Sequence, residues 1–148
     1  MEPLADLREL FLIDDGSLPE IRVGGLDSES VRRAVALVHS LARQPPKYAH
    51  ADGRNAPPGL DHFVLTLTVD GCQLPELGFG AFQDALIVDY RMGPGWTTDR
   101  IDGLFDILHR ICTLHQGAYV EIEPEANPEL RRLFQKAWLR YLTRKGAA

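Results

Sequence analysis

Hydrophobic positions recur with a period of two in the stretch from His62 to Met92 and with a period of three to four in three longer stretches elsewhere. The clearest alternation sets Phe63, Leu65, Leu67 and Val69 against Val64, Thr66 and Thr68, which predicts a half-buried strand over 63–69. Asp70 and Gly71 then form a strong hairpin signal, and strands over 77–82 and 85–90 extend a meander. Gly78 and Gly80 alternate with Leu77, Phe79 and Ala81, so one face of the middle strand carries no side chains; such a bare face marks a bend or a bulge. In the third strand Leu86, Val88 and Tyr90 lie opposite Ile87 and Asp89.

The first helical pattern, Val31, Ala34, Val35, Val38, Leu41 and Ala42, follows the capping types Asp27 and Ser28 and ends at Gln44, Pro45 and Pro46, predicting a helix over 28–43. A second helix starts at a Thr98 cap and carries the stripe Ile101, Leu104, Phe105, Leu108, Ile111 and Cys112, with Gly117 as its stop. Asn127 and Pro128 open a third, whose Leu130, Leu133, Phe134, Ala137, Trp138, Tyr141 and Leu142 face a core. Short strands are predicted at 10–14 and 20–24 around the turn Asp14 to Ser17, and at 118–123 with Val120 and Ile122 inward and Tyr119, Glu121 and Glu123 outward. The order ββαβββαβα predicts an α+β fold, a mainly antiparallel sheet of about six strands with three helices on one or both faces and a βαβ crossover through the second helix joining 85–90 to 118–123. The four prolines and two glycines of 45–61 make that segment a loop within a single domain over 1–148.

Composition changes this picture little: 148 residues with 45% hydrophobic side chains suffice for one core, which needs neither a metal nor disulfides. Cys72 and Cys112 read as free thiols. No basic segment followed by an apolar one opens the chain, and no apolar run approaches the ~18 residues of a membrane span. A cytoplasmic protein without membrane association is expected. Charge is more informative when divided along the chain. From Asp52 to Glu125, twelve acidic residues stand against four basic ones, a net charge of −8, whereas from Glu129 onward six basic residues stand against one acid, +5. The central region should repel phosphate. The basic residues after Glu129 read as the solvated face of an amphipathic helix, with no aromatic platform for bases, so no nucleic acid is expected as a partner.

Candidate chemistry is sparse. Dinucleotide-binding, phosphate-loop and zinc-ribbon spacings are absent, and no serine or cysteine sits in a glycine-flanked elbow or beside a plausible base. His109, Cys112 and His115 are spaced by three on the second helix, yet ligands at that spacing drift around the cylinder and a fourth is missing. Glu121 and Glu123 are separated by ~6–7 Å along a strand, a spacing open to acid–base work but more natural to a solvated or partner-facing edge. No catalytic residue, metal site or cofactor is therefore assigned. The acidic meander points instead to a surface for a protein partner with a basic surface, and Asp84, Asp89, Tyr90, Trp96, Glu121 and Glu123 are the candidate contacts. Trp96, at the exit of the turn Met92 to Gly95, has a second reading as a staple on the following helix.

The segment LTLTVDGCQLPELGFGAFQDALIVDY, Leu65 to Tyr90, resembles the central meander of small bacterial immunity proteins that neutralise polymorphic toxins. The resemblance lies in a strand, a turn with Pro, a strand ending in Gly, another turn and a hydrophobic strand ending in Tyr. It implies a cytoplasmic, non-enzymatic inhibitor that binds one toxin domain. Two other classes stand beside it: a chaperone or adaptor for a secreted effector, which would dimerise through an apolar helix or strand edge, and a small enzyme or metal-binding protein.

Overall fold

The computed structural model describes residues 8–12, 18–44, 47–48, 61–122 and 127–146. Its strands are β1 Glu20–Gly24, β2 Lys47–Tyr48, β3 Asp61–Leu65, β4 Thr68–Val69, β5 Cys72–Gln73, β6 Leu77–Ala81, β7 Leu86–Tyr90 and β8 Tyr119–Ile122. The helices are α1 Ser28–Leu41, α2 Thr98–Cys112 and α3 Pro128–Arg144. This is the α+β architecture expected from the periodicities. Six strands form one sheet in the order β2-β3-β6-β7-β1-β8, and β4 with β5 forms a separate hairpin. Every pairing is antiparallel.

Inward-facing Ile21, Val23, Phe63, Leu65, Leu77, Phe79, Leu86, Val88, Tyr90, Val120 and Ile122 share one core with the apolar stripes of all three helices. The helices thus lie on one side of the sheet, and no described helix covers the other. Helices α1 and α3 begin as their sequence prescribes: Asp27 accepts from the Ser30 amide at 2.8 Å, and Asn127 from the Glu129 amide at 2.8 Å. The cap of α2 is Thr97, one residue before the expected Thr98, and the helix ends at a Thr113 cap, not at Gly117.

Four expectations need correction. Leu10–Leu12 is not a strand: residues Arg8–Leu12 form a π-helical turn. Leu10 and Phe11 are both fully buried, and neighbours on a strand would point to opposite faces. A turn lets both enter the core, where Phe11 stacks on Tyr90 with ring centroids 4.8 Å apart. The predicted strand over 63–69 is broken at Thr66, because the Leu67 carbonyl accepts from the Leu74 amide at 2.8 Å and diverts the chain into the β4–β5 hairpin. The crossover from β7 through α2 to β8 exists, but β1 lies between the two strands and pairs with both. Finally, 45–61 is not all loop: Lys47–Tyr48 pairs with β3, and Asp61 begins β3.

The β4–β5 hairpin seats against α2 at Gly103, where a Cβ would lie 2.8 Å from Leu74 Cδ2 and 3.7 Å from Val69 Cβ. Glycine inside a helix normally costs ~1 kcal/mol relative to alanine, so its presence here marks this close approach. Gly103→Val is expected to destabilise by about 1–3 kcal/mol through overpacking. Gly103→Ala should fall near neutral, since gained helix propensity offsets a tight methyl. Urea denaturation of both variants checks the ordering.

Candidate functional site

The uncovered sheet face is built from alternate residues of five strands. Register places His62, Gly80, Ile87, Arg22 and Glu121 in one row across β3, β6, β7, β1 and β8. A second row runs Val64, Gly78, Asp89 and Glu20. A third contains Gly24 paired with Tyr119. Directly opposed residues on neighbouring strands have Cβ atoms about 4.5–5.5 Å apart, so these side chains form a continuous surface.

The glycines determine what lies on that surface. A Cβ at Gly78 would fall on the Asp89 carboxylate, and a Cβ at Gly80 would sit 3.5 Å from the Phe82 ring and 3.7 Å from the His62 ring. A Cβ at Gly24 would strike the Tyr119 ring. The bare strand face read from the Gly78–Gly80 alternation is thus a floor over which neighbouring side chains fold. Asp89 leans across β6 to place Oδ2 3.1 Å from His62 Nε2. His62 Nδ1 is buried with no hydrogen-bond partner. One ring nitrogen is therefore engaged and the other enclosed, so the pair presents no nitrogen to a substrate, as a general base would have to.

Around half-buried Ile87 stand two exposed aromatic rings, Phe82 at 42% and Tyr119 at 47% relative exposure. The charges are Asp84, Asp89, Glu20 and Glu121 against Arg22 among residues with described side chains. Arg22 reaches Asp84 only at 3.9 Å, and the Asp84 side chain is 72% exposed. The turn holding Phe82 and Asp84 is rigid at its backbone: the Phe82 amide donates to the Ala85 carbonyl at 2.9 Å and the Leu26 amide to the Asp84 carbonyl at 3.0 Å. At the sheet margin, Gln135 Nε2 donates to the Val120 carbonyl at 3.1 Å. This side-chain cap on edge strand β8 discourages pairing with another chain there.

Of the expected contacts, the structure brings Asp84, Asp89 and Glu121 onto this face. Glu123 lies outside the described residues. Tyr90 and Trp96 are corrected: they are 1% and 2% exposed and cannot meet a partner. The Tyr90 hydroxyl donates to the Leu10 carbonyl at 2.8 Å, and burial pushes its pKa above the usual tyrosine range. Trp96 packs inward against Phe11 and Tyr90, its indole N–H donating to the Arg91 carbonyl at 2.7 Å. Sequence reasoning did not single out Phe82, Ile87 and Tyr119. For Phe82 the signal was the same glycine alternation, because a bare strand face leaves room for a neighbouring ring.

The three potential metal ligands on and after α2 have separate neighbours. His115 Nε2 sits 3.6 Å from Asp27 Oδ2 while its Nδ1 accepts from the Gly117 amide. His109 packs edge-on against Tyr141. Burial pushes the Cys112 thiol up to about 11, away from the thiolate a metal needs. Among the described residues no group of three His, Cys, Asp or Glu is placed to share an ion. A shallow cavity of about 270 Å³ lies between β8 and α3, lined by Glu121, Ile122, Pro128, Arg131, Arg132 and Gln135.

No family model matches the chain, and no curated protein or solved structure matches it either. The class defined by its own geometry is an antiparallel sheet backed by three helices on one side and carrying an acidic, aromatic face on the other. Among the described residues no helix is long and apolar enough to cross a membrane.

Proposed function

We propose that this protein is a non-enzymatic, immunity-type inhibitor that acts in the cytoplasm and docks its uncovered sheet face on a basic surface of a bacterial toxin domain. The observation that carries this reading is the composition of that face: the apolar and aromatic side chains Ile87, Phe82 and Tyr119 beside the carboxylates of Asp84, Asp89 and Glu121. Stable interfaces combine aromatic anchors with polar groups that steer approach. Self-association through the same face would bring carboxylates together, so a partner of opposite charge fits better than a second copy. The test is co-expression with the product of the gene immediately upstream. Growth arrest by that product, relieved by the wild-type protein and not by Ile87→Asp, supports the reading. A non-toxic neighbour, or arrest that the wild type leaves unrelieved, counts against it.

Nucleic acid is not the partner in this reading. The cations of α3 and its C-cap are partly used within the protein: Arg132 bonds Glu129, Arg144 lies 2.5 Å from Asp102 and the C-cap Lys145 lies 3.9 Å from Asp106. Any phosphate contact would be confined to this helix and would fade steeply with salt. Fluorescence anisotropy with labelled DNA and RNA is expected to detect no binding at physiological ionic strength. A sequence-selective complex surviving there would make α3 the functional surface instead.

A further inference from the structure

We infer that the uncovered face selects arginine over lysine in its basic partner, with Tyr119 and Phe82 as stacking platforms and Asp84 and Glu121 as the paired acceptors; the inference rests on the docking role proposed above. Three observations converge on it. Tyr119 lies with one side of its ring against the backbone at Gly24 and Gly25, yet remains 47% exposed, so the ring is supported below and open above. Phe82 is held similarly over Gly80. Both are rigid, pre-placed aromatic surfaces, and a planar, weakly hydrated guanidinium stacks on such surfaces better than a compact ammonium does.

The carboxylates supply the second element. Glu121 is two residues along β8 from Tyr119 on the same face, and it stands directly opposite Arg22, which also faces Asp84. The Asp84–Arg22 separation of 3.9 Å leaves the exposed Asp84 oxygens able to accept more. A second guanidinium, arriving from the partner above the Tyr119 ring, would complete the pairing with planar, forked hydrogen bonds that lysine cannot make. Lysine would still be attracted by the net charge of the face, but without the stacking and the fork.

The probes are fluorescein-labelled oligo-arginine and oligo-lysine peptides of equal length, titrated at low ionic strength into the full-length protein. The wild type is expected to bind the arginine peptide about tenfold more tightly than the lysine peptide. Tyr119→Leu with Phe82→Leu should bring the two affinities together, whereas Tyr119→Phe, which keeps a ring over Gly24, should retain the preference. Asp84→Asn with Glu121→Gln should weaken both peptides. Circular dichroism confirms that each variant is folded before titration. Equal affinities in the wild type would overturn the arginine selectivity while leaving the docking face in place. Binding that ignores the Asp84 and Glu121 substitutions, or no binding of either peptide, would overturn both.

Discussion

Replacing Trp96 by alanine is expected to destabilise the protein by about 3–5 kcal/mol, a large share of the ~5–15 kcal/mol that holds a domain of this size together. The side chain is among the largest fully buried ones, and it closes an aromatic cluster against Phe11 at 5.2 Å and Tyr90 at 5.7 Å between ring centroids. Alanine would leave a cavity beside Phe11 and Tyr90, which are themselves held by other contacts, so collapse into the void is restricted. It would also leave the Arg91 carbonyl without the indole donor it now has at 2.7 Å. Thermal unfolding should shift down by roughly 10 °C. Tyr90→Phe is the informative comparison, since it keeps the ring and removes only the hydroxyl bond to the Leu10 carbonyl, a loss of about 1 kcal/mol. A Trp96→Ala variant as stable as the wild type would return this side chain to the surface and restore it as a candidate contact.

Reversing charge on the carboxylates of the face is expected to have the largest effect on association. Asp84→Lys with Glu121→Lys changes the face by four charges while leaving every inward-facing residue of β7, β1 and β8 untouched. Stability should fall by no more than about 1 kcal/mol, because exposed ion pairs of the Asp84–Arg22 kind contribute little. The on-rate for a basic partner should drop by about 10- to 100-fold at low ionic strength, and the difference should shrink as salt shortens the screening length from ~10 Å at 0.1 M to ~3 Å at 1 M. Stopped-flow association across a salt series measures both. Unchanged rates at low salt would move the binding site to another surface.

Much of the fold could be read from local pattern. Cap residues, the three helical stripes, the meander and the inward sides of β1, β6, β7 and β8 follow from periodicity and turn chemistry alone, which act over a few residues and leave a clear trace. The alternation even placed Tyr90 on the same side as Leu86 and Val88. A role for Tyr90 as a surface contact contradicts that parity, and its burial follows the parity. The N-terminal turn was illegible because Leu10 and Phe11 look like a short strand until the aromatic cluster that receives both exists.

By itself, then, the chain determined its class, its three helices and most of its strands, and the acidic character of its central region. Tertiary structure decided three further things. It inserted β1 between β7 and β8, which brought Arg22 beside both Asp84 and Glu121 from segments far apart in sequence. All three helices came to lie on one side of the sheet, so Trp96 went inward while Phe82 and Tyr119 stayed out. It also turned Gly24, Gly78 and Gly80 from weak points in strands into a floor for rings and a carboxylate. The physical reason is common to all three: periodicity records which side of an element is apolar, but only packing between distant elements determines which faces are covered and which side chains from separate strands meet.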